Sequence, residues 1–339
     1  MDLKNFDYDL PEGLIAQEPL TDRSDSKLMV VDRHQKTITH KNFRDLTEYL
    51  KKNDCLVAND TMVISARLFG QKPTGALVEL FLLKEIEKDV WETLCRPAKR
   101  LKVGATVDLV SGITATVVKV LNEGRRLVRF EPEGLLRKNL SDIGQIPLPP
   151  YITVPLSDKH RYQTIYADKE GSVAAPTAGL HFTDEVIDDI EKKGIKHTFV
   201  TLDVGLDTFR PVSTERIEDH RMHSENFDMP KETADLINET KIEGNRVVAV
   251  GTTTVRVIET VATNEKRVAF GGGSTEMFIY PGYEFKIVDA ILTNFHLPRS
   301  TLLMMVSAFA GYELMIEAYQ EAIRENYRFY SFGDAMLIV

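Results

Sequence analysis

The sequence of 339 residues contains only two cysteines, Cys55 and Cys95. A secreted protein that depends on disulfides usually carries more, so this composition fits a reducing compartment. A chain of this length can bury a large core without disulfides or structural metals. We therefore expect a cytoplasmic protein that is held together by its hydrophobic core.

Long apolar segments are also missing. The longest apolar run, residues 301–311, is interrupted by Ser307. It is far shorter than the roughly 20 residues that a membrane-spanning helix needs. The first five residues include Asp2 and Lys4 and form no apolar core, which is not the pattern of a signal peptide. We expect no membrane association.

Several common enzyme signatures are absent as well: the Walker loop, GxGxxG, the kinase motifs and a Ser-His-Asp pattern. His220, His223 and Glu225 lie close together, but no further cysteine or histidine nearby completes a ligand set. We expect no metal here. A contact to RNA or substrate, or an ordinary surface, is the better interpretation of this segment.

The charge of the chain is uneven. The net charge of −9 argues against a protein that binds nucleic acid over its whole surface. Residues 67–147, however, contain 14 Lys and Arg but 10 Asp and Glu, which leaves this segment at +4. A basic module on an acidic body could bind a phosphate backbone. Taken alone, a charge of +4 over this length is better explained by ordinary scatter in composition.

The same segment has the pattern of a small β-domain. Short apolar stretches alternate with turn signals such as Val103-Gly104 and Ser111-Gly112, and a proline cluster at 147–150 follows. This pattern predicts an antiparallel β-barrel without helices. The flanking sequence alternates strand and helix patterns. The predicted fold class is therefore α/β, with a large α/β domain (1–66 and 148–339) and an inserted small antiparallel β-barrel domain (67–147).

Within the large domain, capping residues mark the predicted helices. Thr183, Gly251 and Ser300 each precede a helical pattern, and Pro230 precedes another at 231–243. Predicted strands follow the remaining apolar runs, including one directly after Glu276. They cover residues 195–204, 246–250, 288–292 and 335–339.

Three loops carry candidate chemistry. The turn of Thr252, Thr253, Thr254 and Arg256 lies where a strand gives way to a helix, and free N–H groups at a helix start bind carboxylates or phosphates. A well-capped helix is the simpler interpretation. The run of small residues at 171–183 ends near His181, a possible proton-transfer group or a buried hydrogen-bonded histidine.

The third loop contains Asn294 and His296 between a strand and a strong helix, the position that faces the ligand crevice in α/β proteins. Glu276 could hold a cationic substrate. For this loop and for Glu276, the open alternative is that the polar side chains only cap local structure or form hydrogen bonds within the core.

Taken together, these segments resemble the S-adenosylmethionine:tRNA ribosyltransferase-isomerases of queuosine biosynthesis. The similarity extends over nearly the whole chain. Its motifs are Phe6–Pro11, Leu14–Gln17, Asn59–Thr61, Ala66–Leu68, Pro149–Ile152, Arg161–Thr164, Gly171–Thr183, Thr208–Val212, His220 with Met222–Glu225, Gly251–Thr253, Phe278–Gly282, Thr293–Pro298 and Gly333–Met336.

The chain departs from the family pattern at two places. Where the family usually has His-Val-Gly-Ala-Gly-Thr-Phe, this chain has Asp203, Leu206 and Asp207 at the varied positions. A histidine role at position 203 is therefore not available. Glu276 takes the place of the usual aspartate and keeps its charge. Since neither change touches 171–183 or 294–298, we expect activity to survive.

The resemblance implies that the ribosyl group of S-adenosylmethionine moves to the aminomethyl group of a 7-deazaguanine at the tRNA wobble position and rearranges to epoxyqueuosine. S-adenosylmethionine is then a consumed substrate, no cofactor is expected, and tRNA is the partner of a monomer. The chemistry implied by the resemblance needs proton transfer and sites for the substrates. The candidates are His181, His296 and Asp60 for proton transfer, Thr252, Thr253, Thr254, Arg256, Glu276 and Asn294 for substrate binding, and Lys99, Arg100, Arg126, Arg161, Tyr162 and Gln163 for tRNA.

Two other functions stay open at this point. An RNA methyltransferase would release S-adenosylhomocysteine, and a non-catalytic RNA-binding protein would bind tRNA without consuming S-adenosylmethionine. The polar loops at 252–256 and 294–299 argue against the second of these.

Overall fold

A computed structural model describes residues 1–205 and 212–339. The described residues form two compact units. The large unit comprises Met1–Met62, Pro150–Lys169 and Ala175–Val339, and the barrel unit comprises Val63–Pro149 and Glu170–Ala174. The large unit is an α/β structure built on a sheet with parallel and antiparallel strands, and the barrel unit contains a closed antiparallel barrel. This confirms the predicted fold class. The predicted domain boundaries near 66 and 148 stay a prediction.

The strands of the described residues are numbered along the chain. They are β1 Lys27–Asp32, β2 Thr37–Asn42, β3 Cys55–Asn59, β4 Thr61–Val63, β5 Arg67–Gln71, β6 Leu77–Glu87, β7 Val90–Arg96, β8 Thr106–Leu109, β9 Thr114–Val120, β10 Arg125–Glu131, β11 Lys169–Ser172, β12 Lys196–Leu202, β13 Glu225–Met229, β14 Val247–Val250, β15 Gly271–Thr275, β16 Ala290–Asn294 and β17 Ala335–Ile338. The α-helices are α1 Leu135–Ile143, α2 Asp184–Lys192, α3 Lys231–Ile242, α4 Thr252–Thr260, α5 Thr301–Ala310 and α6 Tyr312–Arg324.

In the large unit, nine strands of the described chain form one sheet in the order β15-β13-β12-β3-β14-β16-β17-β1-β2. Four neighbours at its centre, β12, β3, β14 and β16, run parallel to one another. Their carboxyl ends therefore lie at the same edge of the sheet. β16 and β17 are antiparallel, so the direction of the sheet changes beside β16.

One face of this sheet forms the main core of the large unit. The side chains of this cluster come from every second residue of each strand, because alternate residues of a strand point to the same face. The strand residues of this cluster are Leu28, Val30, Leu56, Ala58, Val248, Val250, Ala290, Leu292, Ala335 and Leu337. Phe43, Phe182 and Ile190 pack against them. Burial of this apolar surface stabilises the fold that positions the strand ends.

The predicted helix caps are present. The Thr183 hydroxyl accepts a hydrogen bond from the Val186 N–H, and Ser300 does the same for Leu303. Pro230 directly precedes α3. A 3₁₀ helix, Phe43–Tyr49, follows β2.

The strand expected after Glu276 is wrong: β15, Gly271–Thr275, lies before that residue. β15 pairs with β13 through its backbone at the end of the sheet. Its sequence, GGGST, has little strand propensity of its own, so tertiary pairing decides its conformation.

In the barrel unit the described strands close in the order β10-β7-β6-β5-β8-β9. β5 was not predicted. It contains Gly70, where an added Cβ would lie 2.6 Å from the Asp108 carbonyl oxygen, so only glycine allows β8 this close approach. The expectation of a unit without helices is also wrong. α1 buries Leu136 and Leu140, four residues apart, on one face.

No single helix of the described residues is long and apolar enough to cross a membrane. α5 and α6 reach that length only together, and they are bent by 117° at Gly311.

Candidate active site at the carboxyl edge of the sheet

Polar residues collect where the parallel strands of the large unit end. Asp60 follows β3, Asp203 follows β12, Gly251 follows β14, and β16 ends at Asn294. In open α/β sheets ligands bind outside the carboxyl ends of the strands, beside a change in strand direction. This carboxyl edge is therefore the candidate active site.

Asn59 fixes the geometry of this edge. Its side-chain amide donates to the Leu202 carbonyl at 3.1 Å and to the Thr253 hydroxyl at 3.4 Å. Its side-chain oxygen accepts the backbone N–H of Leu202 and of Thr61, each at 3.1 Å. One side chain thus joins the ends of β3 and β12 to the first turn of α4. Asn59 was not among the predicted site residues, although an asparagine at the end of a buried apolar run was a usable signal.

Asp60 is a buried carboxylate next to this junction. The Thr201 hydroxyl donates to it at 2.6 Å. Burial raises the pKa of Asp60 above its usual range, although the hydrogen bond from Thr201 and the charge on Lys169 act in the opposite direction. A carboxylate whose pKa is raised is a stronger base, so this group suits proton abstraction.

His181 belongs to a buried hydrogen-bond chain. The Thr177 hydroxyl donates to Oδ1 of Asn294 at 2.8 Å, which directs the Asn294 amide Nδ2 toward Nε2 of His181 at 3.1 Å. Nε2 is then an acceptor, and the proton on Nδ1 points to the Ser26 hydroxyl at 2.8 Å. Two predicted residues, His181 and Asn294, are therefore in direct contact.

The environment keeps His181 neutral. Burial, followed by the charges of Arg23 and Arg328, lowers the pKa of His181 to about 3. The Phe43 ring stacks on the imidazole with a centroid distance of 5.0 Å. The small-residue run before His181 also has a physical reason, because a Cβ on Gly179 would collide with the Tyr166 hydroxyl.

His296 lies in a separate buried group. Its ring nitrogens contact the Thr293 hydroxyl at 3.0 Å and the Tyr319 hydroxyl at 3.1 Å, and its backbone N–H donates to the same Tyr319 oxygen. Burial lowers the pKa of His296 to about 3. Its partners are not those of His181 or Asp60. The contacts of His296 support a positioning role for this loop, and its role in proton transfer stays a prediction.

Arg256 requires a correction, because it is not available to a substrate anion. Its guanidinium forms a buried ion pair with Glu225 and donates to the carbonyls of Met277 at 3.1 Å and Thr275 at 3.2 Å. Thr254 is likewise satisfied, since its hydroxyl donates to the Val250 carbonyl. Sequence reasoning missed this pairing because the two charges lie 31 residues apart.

With Arg256 and Thr254 excluded, the first turn of α4 is the remaining candidate site for a substrate anion. No side chain of the described residues caps this helix, and Gly251 precedes it with a φ of 87°, a conformation that favours glycine. Thr252 and Thr253, with the free N–H groups of a first helical turn, stay candidates for substrate binding.

Glu225 links Arg256 to the end of β12. Its Oε1 accepts the Gly205 N–H at 2.9 Å and lies 3.1 Å from Nε2 of His223. Burial opposes ionisation of Glu225, but the hydrogen bond with His223 and the charge on Arg256 outweigh it and lower the pKa to about 2. The His223-Glu225 segment is thus part of the buried support of the carboxyl edge.

Comparison with known proteins settles the family. The family model described as "Queuosine biosynthesis protein" matches residues 3–338. The chain belongs to this family.

Members of the queuosine biosynthesis family match this chain along its full length. A protein from Staphylococcus haemolyticus, named S-adenosylmethionine:tRNA ribosyltransferase-isomerase, is 53% identical over 100% of both chains. One from Staphylococcus aureus strain Newman, with the same name, is 52% identical over 100% of both. The crystal structure of S-adenosylmethionine tRNA ribosyltransferase from Thermotoga maritima covers 99% of this chain and 100% of its own, with 39% identity and a TM-score of 0.57.

The departures from the family motif fall at the end of β12. The Asp203 N–H donates to the Asn226 carbonyl at 3.0 Å, so this residue closes the pairing with the β13 side of the sheet. Leu206, Asp207 and the motif Thr208–Pro211 lie outside the described residues. Glu276 is exposed and directly follows β15. Its role toward a cationic substrate stays a prediction.

In the barrel unit, the predicted tRNA contacts divide into two kinds. Lys99 and Arg100 are exposed on a short 3₁₀ helix. Arg126 instead is buried and donates to the carbonyls of Leu101, Ala98 and Arg125. Its guanidinium supports the segment that carries Lys99 and Arg100 and does not face a phosphate. Residues 126, 128 and 130 of β10 are buried on the same face, because alternate residues of a strand point to one side. This spacing was the signal that Arg126 points inward.

In the large unit, Tyr162 cannot stack on a base, because it is fully buried and packs edge-on against Phe332. Gln163 uses its backbone carbonyl to accept from Arg23 at 2.7 Å. Arg161 is partly exposed, and its guanidinium donates to the carbonyls of Leu20 and Thr21. Of this predicted trio, Arg161 is best placed to meet an RNA.

Proposed function

We propose that this chain transfers and isomerises the ribosyl group of S-adenosylmethionine onto the aminomethyl group of 7-aminomethyl-7-deazaguanine at the tRNA wobble position. The products are epoxyqueuosine-tRNA, adenine and methionine. The observation that carries this proposal is the full-length match, at 52–53% identity, to relatives named for this activity. The polar cluster at the carboxyl edge supports it, since it supplies the groups that the reaction requires.

S-adenosylmethionine is consumed as a substrate in this reaction, because both its adenine and its methionine leave. The chain would act on tRNA in the cytoplasm as a monomer, without a further cofactor. Since the leaving groups are released from one molecule, adenine and methionine must appear in equal amounts.

We assign the first proton transfer to Asp60. The carbon that joins ribose to the sulfonium is acidified by the positive sulfur, and a carboxylate with a raised pKa can remove its proton. The hydrogen bond from Thr201 holds one carboxylate oxygen in place, which orients the other. The charges on Lys169 and Asp168 act on the same group with opposite signs.

His181 supports this site in its neutral form. A lowered pKa leaves its imidazole uncharged at neutral pH, so it adds no positive charge that would repel the sulfonium. Its bond to Asn294 orients an amide at the end of β16. The start of α4, with Thr252 and Thr253, would bind the methionine carboxylate through backbone N–H groups and the helix dipole.

The test is an incubation of the purified protein with S-adenosylmethionine and tRNA carrying the aminomethyl-deazaguanine, with adenine and methionine followed by chromatography. We expect equal release of both. Unmodified tRNA is the control and should give no release. S-adenosylhomocysteine with a methylated RNA would establish a methyltransferase instead, and binding of tRNA without any product would establish a binding protein.

A further inference from the structure

A recess that is open to solvent lies beside His181 in the large unit. Its lining includes Arg23, Ser26, Arg161, Leu180, His181 and Phe332. Ser26 and Asn294 contact opposite nitrogens of the His181 ring, so this recess, the arginine cleft, is separated by the imidazole from the Asn294 side of the active site.

The two arginines of the arginine cleft have no ion-pair partner among the described residues. Arg23 donates to the carbonyls of Gln163, Leu180 and His160, and Arg161 donates to those of Leu20 and Thr21. Within residues 1–205 and 212–339, neither guanidinium forms an ion pair, and the lining contains no Asp or Glu. Two carboxylates outside the lining act on these arginines electrostatically without an ion pair, Asp158 on Arg23 and Asp22 on Arg161.

The two guanidinium groups also repel each other. Burial, followed by the charge of Arg161, lowers the pKa of Arg23. The Nε atom of Arg161 is buried without a hydrogen-bond partner in the described chain, and the same holds for one terminal nitrogen of nearby Arg328. Arg328 places a third positive charge close enough to act on His181. Partly buried cations that are held only by neutral carbonyls attract an oxyanion.

We propose that the arginine cleft binds a phosphodiester group of the tRNA substrate. This inference rests on the proposed function. Two oxyanions belong to that reaction, the RNA phosphate and the methionine carboxylate. S-adenosylmethionine also carries an ammonium and a sulfonium, which a cleft without carboxylates repels. A phosphodiester brings only negative charge, and arginine is well suited to bind it.

The walls of the cleft fit the same ligand. Leu180 and Phe332 line the cleft beside the arginines, and because both side chains are almost wholly buried, each contributes only an apolar edge. Single-stranded RNA is commonly recognised by a cation that meets the phosphate and an aromatic ring that meets the base or sugar. The cleft thus places a nucleotide of the anticodon loop next to His181, within reach of the edge where the modified base must lie.

The test measures the binding of aminomethyl-deazaguanine tRNA without S-adenosylmethionine, at salt concentrations from about 50 to 200 mM. Arg161→Gln should weaken binding by about 10-fold at low salt and reduce the salt slope by about 1, because one phosphate contact is lost. Arg161→Lys, which keeps the charge, should retain most of the slope. Arg324→Gln is the matched control. Arg324 is exposed on α6 and paired with Glu321, so its variant should bind as the wild type does.

A second readout uses the unaltered protein and does not depend on the folding of a variant. Phenylglyoxal modifies accessible arginines, and mass spectrometry should show slower modification of Arg161 when tRNA is bound but not when S-adenosylmethionine is bound. Wild-type affinity and slope in Arg161→Gln, or protection by S-adenosylmethionine alone, would overturn the proposal. Because these assays require no turnover, a chain that binds RNA here but releases no adenine would refute the proposed function and leave this inference standing.

Discussion

The two units of this molecule bury polar groups differently. The large unit places Asn59, Asp60, His181, Asn294 and Glu225 below the surface near the ends of its strands. The core of the barrel unit is mainly apolar, and its buried Arg126 only ties neighbouring carbonyls together. Burial of polar groups costs stability unless each is paired, so a fold concentrates them where chemistry requires it. The difference supports the proposal that the chemistry takes place in the large unit and that the barrel unit contributes a binding surface.

The largest effect of a single substitution is expected at Asp60 in the large unit. Asp60→Asn keeps the shape and an acceptor for Thr201 but removes the base, so turnover should fall by about 1,000-fold. Because the folded-state pKa of Asp60 lies above its unfolded value, ionisation costs stability at neutral pH, and the variant should unfold at the same temperature or higher. Adenine release and thermal unfolding provide the measurements.

Asp189→Asn is the control for Asp60. Asp189 is exposed on α2 and pairs with Lys192 at 3.4 Å. Its variant should keep normal turnover, and an equal loss in both variants would contradict the role of Asp60.

Within the large unit, the two buried histidines should differ in their effects on turnover and on stability. His181→Ala should reduce turnover by about 100-fold, because the orientation of Asn294 is lost. His296→Ala should chiefly cost stability, about 2–3 kcal/mol, because Tyr319 loses its partner and a cavity forms. Chemical unfolding and steady-state turnover separate these outcomes. A larger loss of turnover in His296→Ala would reverse the two assignments.

Stability should also depend on pH through these histidines. Both have folded-state pKa values lowered to about 3, whereas an unfolded histidine titrates near 6.5. The unfolded chain therefore binds more protons as pH falls, and each histidine should cost about 2 kcal/mol between pH 6.5 and 5. Denaturant unfolding at several pH values checks this. His296→Gln should flatten the dependence, while the exposed His34→Gln should leave it unchanged.

The smallest effect is expected in the barrel unit. Replacing Lys99 and Arg100 together with alanine should weaken tRNA binding by about 3- to 10-fold at low salt without a change in unfolding temperature. Arg126→Ala should instead lower the unfolding temperature, because three carbonyls lose their donor. A normal unfolding temperature for Arg126→Ala would show that its hydrogen bonds do not stabilise this unit.

Local signals in the sequence account for much of the site. Thr183 and Ser300 identified helix starts, and the loops of His181 and Asn294 proved to be in contact. The pairing of Arg256 with Glu225 could not be predicted, because a sequence gives no distance between remote charges. β15 escaped prediction for a similar reason, since its glycines take strand conformation only through pairing with β13. The sequence thus predicts interactions between residues that are close along the chain, but it does not predict pairing between remote residues.

The most direct test of the account follows the proton itself. S-adenosylmethionine labelled with tritium on the carbon between ribose and sulfur would be mixed with excess protein and aminomethyl-deazaguanine tRNA, and tritium appearing in water would be counted. The account predicts release by the wild type together with adenine, and release about 1,000-fold slower in Asp60→Asn although both substrates still bind. Release at the wild-type rate in Asp60→Asn would contradict the claim that this carboxylate removes the proton.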